Sequence, residues 1–140
     1  MNDMDANISS DPGLQELIER FPRLFRGAQP AVLSHVPPGW SAIVRTLFTG
    51  IDELLDDEQA AWLRVEQVKE KFGHLKLYVS FDRIDPAGFN PHPAELVLLV
   101  RAAVAASAVS CYVCGAPARM RELGGWATVR CESHTHLRSG

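Results

Sequence analysis

The stretch VEQVKEKFGHLKLYVSF, residues 65–81, decides the fold class because it determines whether the chain contains a β-sheet. Its second half, residues 75–81, alternates strictly between apolar side chains and Lys, Tyr or Ser, which is the periodicity of a strand with one buried face. The first half is ambiguous, since Val65 and Val68 fit either a helix or a polar partner strand. Gly73 lies between the two halves and favours a hairpin turn, so we predict strand–turn–strand.

Three helical segments flank this hairpin. Residues 11–20 begin with Asp-Pro, an N-cap followed by proline at the first helical position, and they carry one apolar face. Apolar stripes with a helical period run through residues 40–55 and 93–107. Residues 56–58 are all acidic and are predicted to form a solvated connection. These elements predict an α+β fold, in which two or three helices pack on a small antiparallel sheet.

The C-terminal stretch CYVCGAPARMRELGGWATVRCESH, residues 111–134, holds all three cysteines of the chain. Cys111 and Cys114 form a C-x2-C pair, and after sixteen further residues Cys131 and His134 form a C-x2-H pair. This spacing is typical of a zinc site. Because four protein ligands leave no coordination position for water, we predict one structural zinc ion.

His136 is the rival fourth ligand, since a C-x4-H spacing would also reach the ion. Between the two ligand pairs, residues 121–130 are predicted to form a β-hairpin that turns at Gly124-Gly125, with Trp126 covering one side of the site. The pattern resembles a zinc knuckle or a truncated treble clef. The complete fold prediction is therefore an α+β core with this knuckle at its C-terminal end.

Length and composition favour one globular domain. The chain has 140 residues, of which 46% are hydrophobic and 22% charged, and these values exclude wholesale disorder. We expect a disordered tail at residues 1–10 and an α+β core at 11–109. A zinc-binding knuckle integrated with that core should occupy residues 110–136, and 137–140 should form a loose tail.

The formal net charge of −3 is unevenly distributed along the chain. Residues 1–60 carry ten acids and four bases, or −6, while residues 61–90 sum to +1 and residues 91–140 to +2. This weak polarity does not predict a phosphate-binding surface, which normally shows a clear basic cluster.

No apolar run approaches the ~20 residues of a membrane span, and the polar, acidic N-terminus is unlike a signal peptide. An odd number of cysteines argues against a disulfide framework. We therefore predict a cytoplasmic protein with reduced thiols and no membrane partner.

The turn of the 65–81 hairpin is the candidate partner-binding surface. Lys69, Glu70 and Lys71 lie beside Phe72, and an aromatic side chain ringed by charge is the usual composition of a binding hot spot. The alternative is that Phe72 packs inward while the charges keep a strand edge soluble.

Four segments, RFPRLFRG, PPGW, VEQVKEKFGHLKLY and the cysteine stretch, occur in this order in a family of small bacterial proteins, many of them associated with prophages. Over about residues 19–136 the chain resembles members of that family. The distinctive motifs are V-x-Q-V-K-E-K-F-G, an L-x-[FL]-Y strand, C-x2-C-G, a G-W pair and C-x2-H. The resemblance implies a shared fold and metal site, and it implies no particular activity. Where this chain has LKLY, the family more often has an arginine and a phenylalanine, a difference that leaves the zinc ligands untouched.

Three classes of function fit these observations. We favour a non-enzymatic protein-interaction module, such as a phage accessory factor or a toxin-neutralising protein, whose acidic N-terminal half would suit a basic partner. The first alternative is a nucleic-acid-binding protein with Arg119, Arg121, Arg130 and Arg138 on phosphates, although three thiolates more than cancel the charge of the metal. The second alternative is an enzyme whose catalytic residues the sequence does not reveal.

Overall fold

The fold is α+β, as predicted, in a computed structural model that describes residues 12–81 and 93–135. These residues form four α-helices and two separate two-stranded antiparallel sheets. The helices are α1 (Glu16–Arg20), α2 (Ser41–Leu54), α3 (Asp57–Ala61) and α4 (Glu95–Ser107), and the strands are β1 (Leu63–Lys71), β2 (His74–Phe81), β3 (Arg119–Leu123) and β4 (Trp126–Arg130). Single 3₁₀ turns at Pro12–Gln15, Pro38–Trp40 and Glu132–His134 complete the described structure.

The first hairpin, β1–β2, confirms the strand–turn–strand prediction. Its strands pair antiparallel, and the pair Lys71 and His74 closes a turn of two residues. Those residues, Phe72 and Gly73, have φ angles of 52° and 84°. Positive φ at both positions defines the type I′ turn, whose backbone twist matches that of a hairpin.

One face of the first hairpin belongs to the hydrophobic core. Val65, Val68 and Leu75 are at most 1% exposed. The core continues through α1, α2, the 21–36 loop and the 3₁₀ turns that precede the two helices, where Leu14 and Trp40 are fully buried. On the side away from β2, the N–H of Val68 donates to the carbonyl of Val32 over 3.1 Å. The first hairpin therefore lies between α2, α4 and this loop.

The acidic residues that follow α2 are exposed, as predicted, but they also begin a helix that the sequence did not indicate. The Asp56 carboxylate accepts from the Gln59 N–H over 2.8 Å, while the Gln59 side chain accepts from the Asp56 N–H over 2.9 Å. This reciprocal capping box satisfies two N–H groups at the start of α3. Arg23 fixes the same corner through ion pairs to Asp52 and Asp57.

The second hairpin, β3–β4, confirms the predicted hairpin between the ligand pairs. Its turn is Gly124-Gly125, with φ angles of 57° and 87°. The predictions for residues 1–10 and 137–140 lie outside the described residues. Within the described ranges, none of the helices combines the length and the apolarity that a membrane span requires.

Candidate metal centre

Four side chains predicted as ligands lie together at the end of the second hairpin. Cys111 and Cys114 come from the loop between α4 and β3, Cys131 directly follows β4, and His134 ends the last 3₁₀ turn. Their three sulfurs and one ring nitrogen all lie within 4.8 Å of one another. The described structure therefore contains a Cys3His cluster that could hold a metal ion.

The distances within the cluster match a tetrahedral site. The sulfurs of Cys114 and Cys131 are 3.7 Å apart. The Nδ1 atom of His134 lies 3.7 Å from the Cys111 sulfur and 3.2 Å from the Cys131 sulfur. Ordinary zinc bond lengths in a tetrahedron place two sulfurs ~3.8 Å apart and a sulfur ~3.6 Å from a nitrogen. These three separations are within about 0.4 Å of the values for a tetrahedral zinc site, and His134 presents Nδ1 to the sulfurs. The rival ligand, His136, lies outside the described residues.

A tight turn directs the sulfurs of Cys111 and Cys114 toward the other members of the cluster. The N–H of Val113 donates to the Cys111 sulfur over 3.4 Å, and the N–H of Gly115 donates to the Cys111 carbonyl over 2.9 Å. Gly115 has a φ of 79°, a conformation that glycine adopts without a steric penalty. The glycine after the C-x2-C pair therefore allows the chain to leave the turn.

The cluster favours one thiolate before any cation binds. Burial raises the pKa of the Cys111 thiol, but hydrogen bonds from the backbone at Cys131, Cys114 and Val113 outweigh it, so the pKa falls to about 6. For Cys114, the backbone at Ala116 lowers the pKa. Burial and the two neighbouring cysteine side chains outweigh that effect, so the pKa is raised. Ionisation of a second thiol is therefore unfavourable until a bound cation compensates the negative charge.

The loop that carries Cys111 and Cys114 packs against PPGW, residues 37–40, a segment far away in the sequence. The N–H of Gly39 donates to the Tyr112 carbonyl over 2.6 Å, and the indole N–H of Trp40 donates to the Ser110 carbonyl over 2.8 Å. The Trp40 and Tyr112 rings meet edge to face with centroids 5.0 Å apart. Sequence reasoning assigned Trp40 to the apolar stripe of residues 40–55 and missed this contact, which joins segments seventy residues apart.

The space above Gly39 shows how close this contact is. A methyl group at that position would overlap the carbonyl oxygen of Cys111 and would come within 2.7 Å of the Gly115 nitrogen and the Tyr112 oxygen. All three obstacles are backbone atoms, so they cannot move aside as a flexible side chain would. The cluster is therefore attached to the helical core by a backbone-on-backbone contact.

The described arginines proposed for a nucleic-acid surface share one face of the second hairpin but differ in their exposure and partners. Arg130 is 4% exposed, and its guanidinium donates to Thr128 and lies 5.8 Å from the Tyr112 ring centroid. Arg121 donates to the carbonyl of Arg130 over 2.8 Å. Arg119 is exposed, while the fourth, Arg138, lies outside the described residues. Two of the four predicted phosphate ligands therefore bond to the protein itself.

The structure divides the predicted partner site between two surfaces. Phe72 is 75% exposed, so the alternative in which it packs inward is wrong. Lys69 and Lys71 lie on the solvent face of the first hairpin, opposite Lys76 and His74 in the register.

Glu70 points to the other side of the strand, where its carboxylate accepts from the N–H of Gly73 over 2.8 Å. With Phe72, Trp126 and Ala127 it lines a pocket of about 180 Å³.

Trp126 does not cover the metal cluster as predicted. It begins β4, next to the turn, and Cys131 follows five residues later, roughly 16 Å along an extended strand. Its ring is 49% exposed and borders the pocket beside Phe72. The strand direction therefore carries this aromatic side chain away from the sulfurs and toward the tip of the first hairpin.

Comparisons of this chain with protein-family models, with curated proteins and with solved structures found no match. The resemblance to a prophage-associated family consequently stays a prediction, and the function is inferred from the site and its surroundings.

Proposed function

We propose that this chain is a non-enzymatic binding protein, that a structural zinc ion stabilises it, and that it engages a protein partner through the adjacent tips of its two hairpins. The tip surface consists of Glu70, Phe72, Trp126 and Ala127. The observation that carries the proposal is the state of Phe72. Its backbone adopts a conformation that bulky residues disfavour, and its apolar ring is exposed to solvent.

Zinc fits the cluster on chemical grounds. Three soft thiolates and one imidazole in a tetrahedron are the donor set that divalent zinc prefers. A bound ion would supply cross-linking and no reaction, since all four positions would belong to Cys111, Cys114, Cys131 and His134. It would tie the loop before β3 to the end of β4, and so would hold the second hairpin and Trp126 in place.

Phe72 occupies a position that neither packing nor backbone preference explains. Its φ of 52° lies in the left-handed region, which disfavours bulky residues by roughly 1–2 kcal/mol, and asparagine is preferred at this position of a type I′ turn. Its ring is 75% exposed, so burial returns little of that cost. Strained residues of this kind concentrate at ligand-binding sites.

The neighbourhood of Phe72 has the composition of a protein-binding surface. Trp126, 49% exposed, is the second aromatic side chain beside the pocket, and both rings lie at hairpin tips free to meet another molecule. Tryptophan and other aromatic anchors beside a small pocket are enriched among residues that carry binding energy.

Metal content tests the first part of the proposal. Protein purified without chelator should contain close to one equivalent of zinc by elemental analysis. A preparation that folds fully with no zinc and no other divalent metal would contradict the structural role.

The substitution Phe72→Asn tests the second part, because it separates binding from stability. Asparagine suits the left-handed turn position, so the free energy of unfolding should rise by about 1 kcal/mol. Peptides selected from a random display library on the zinc-loaded wild-type protein should lose at least ten-fold in affinity for this variant. Leu98→Gln on α4, where the leucine is 62% exposed, is the matched control and should leave that affinity unchanged. Selected peptides that bind both variants equally would show that the tip surface is not the binding site.

A further inference from the structure

The solvent face of the first hairpin carries a cluster of lysines. The net charge of this part of the sequence does not indicate the cluster. In the run Lys69-Glu70-Lys71 the strand alternation places both lysines on one face and directs the glutamate to the other. The register places Lys76 directly opposite Lys69, and His74 directly opposite Lys71. We call the surface formed by Lys69, Lys71, His74, Lys76 and Tyr78 the cationic face.

The cationic face extends past the hairpin. An isolated parallel bridge pairs His35 with Lys69 on the side of β1 away from β2. Bridge partners share a face of a sheet, and the side chain of His35 is exposed. Three neighbouring chain segments therefore present His35, Lys69 and Lys76 in one row.

The lysines of this face form no ion pairs with the described acids. Among residues 12–81 and 93–135, no carboxylate forms an ion pair with Lys69, Lys71 or Lys76, whereas Arg23 and Arg45 pair with aspartate or glutamate. Like charges directly opposite each other destabilise a sheet. The arrangement of Lys69 against Lys76 thus costs stability that an anionic partner would recover.

An aromatic ring lies among these cations. Tyr78 is 37% exposed, and the Lys69 ammonium lies 5.6 Å from its ring centroid. Its cross-strand partner is Gln67, which adds an amide with both a hydrogen-bond donor and an acceptor. Lysines interleaved with an accessible aromatic ring are the combination that single-stranded nucleic acids require, because their phosphates need cations and their unpaired bases need a stacking surface.

We propose that the cationic face binds single-stranded nucleic acid, with phosphates on Lys69, Lys71 and Lys76 and a base stacked on Tyr78. A duplex fits less well, because its bases are already stacked inside the helix and cannot reach a tyrosine on a sheet surface. An acidic protein segment would use the lysines and leave the ring without a planar partner. Because a lysine ammonium binds any phosphate as a point charge, and a tyrosine ring stacks on any base, we expect the protein to show little preference for nucleotide sequence.

This surface was not evident from the charge of the sequence. Residues 61–90 sum to only +1. Of the two acids in β1, Glu70 lies off the cationic face and caps the turn, while Glu66 bonds to Ser80, two residues beyond Tyr78 on β2. The cationic face is also separate from the tip surface, so it can fail or succeed without the proposed protein interaction.

Fluorescence anisotropy of a labelled oligothymidylate of about 16 nucleotides, titrated with the full-length zinc-loaded protein, tests the proposal directly. We expect a dissociation constant on the order of 10⁻⁴–10⁻⁶ M, and a slope of log affinity against log salt near −2 for three phosphate contacts. The double substitution Lys69→Gln with Lys76→Gln should weaken binding about 25-fold at about 0.1 M salt and reduce the slope by about 1.4.

Two further variants distinguish charge from stacking and from non-specific effects. Tyr78→Ser should weaken binding about five-fold or more through loss of the stacked base, with little change in the salt slope. Arg101→Gln removes an exposed cation from α4 and should change neither the affinity nor the slope. Circular dichroism and thermal melts of each variant establish that it is folded.

Four results would overturn the proposal. The first is no binding of the oligothymidylate at about 50 mM salt and about 0.1 mM protein, and the second is a lysine double variant that binds as tightly as the wild type. The third is a duplex that binds as tightly as the single strand or more tightly. The fourth is polyglutamate that competes as well as unlabelled oligothymidylate. The last result would assign the cationic face to an acidic protein segment instead.

Discussion

The two hairpins of this protein share a shape and differ in what holds them. Each is a pair of antiparallel strands joined by a two-residue turn in which both φ angles are positive. The first hairpin buries four apolar side chains in the core, namely Leu63, Val65, Val68 and Leu75. The second buries Thr128, Val129 and Arg130, of which only the valine is apolar.

From this difference we infer that two sources of stability, apolar burial and metal binding, act on different parts of the chain. The first hairpin is stabilised by the burial of its apolar side chains, and each one that is fully removed from water contributes roughly 1.5–3 kcal/mol to the free energy of folding. The second has too few such side chains and instead ends at Cys131 and His134, two residues of the Cys3His cluster that could hold a metal ion. We therefore expect the first to depend on its side chains and the second on the metal.

Cys114→Ser should have the largest effect. Loss of one thiolate opens the tetrahedron, and because the apparent binding free energy of structural zinc, about 10–16 kcal/mol, is coupled to folding, the second hairpin should unfold. Elemental analysis should show the metal content falling well below one equivalent, and the combined tryptophan fluorescence of the protein should shift to the red.

The control for that experiment is Val113→Ser in the same turn. Val113 is 38% exposed and supplies no side-chain ligand, so metal content and fold should persist. A Cys114→Ser protein that keeps its metal and its second hairpin would remove the distinction between the two hairpins.

Leu75→Ala tests the first hairpin. Leu75 is 1% exposed, so truncation should lower the free energy of unfolding by about 2–5 kcal/mol. Met120→Ala in the second hairpin, where the methionine is 38% exposed, should cost less than about 1 kcal/mol while the metal is bound. Urea unfolding of both variants makes the comparison, and equal losses would show that the second hairpin also depends on its side chains.

Gly39→Ala tests the connection between the two regions. Its new methyl group would collide with the backbone at Cys111, and we expect destabilisation of about 1–3 kcal/mol together with weaker metal binding. Gly50→Ala in α2 is the matched control, since its methyl would meet only the flexible Leu99 side chain at 3.3 Å. Competition with a chromophoric chelator measures the metal affinity. An unchanged affinity in Gly39→Ala would mean that PPGW does not support the cluster.

Local patterns made most of the fold and the residues of the Cys3His cluster predictable. The alternation over residues 75–81 and the C-x2-C and C-x2-H spacings each lie within a few residues, so the sequence displays them directly. The α3 helix was missed because its acidic start resembles a solvated connection until the Asp56–Gln59 capping box is formed.

Features that depend on distant partners were not predictable. Trp40 bonds to Ser110 across seventy residues, and nothing local to PPGW indicates that contact. The cationic face becomes visible only when the register places Lys76 opposite Lys69. The exposure of Phe72, by contrast, is local and agrees with the partner-binding surface predicted at the turn.

Hydrogen exchange of the wild-type protein, measured by mass spectrometry before and after removal of bound metal, tests the division between the hairpins most directly. Without metal, peptides from residues 111–135 should lose their protection, while peptides from β1 and β2 should keep most of theirs. Restoring one equivalent of zinc should restore protection in 111–135. Equal loss in both hairpins, or no loss in either, would contradict the account.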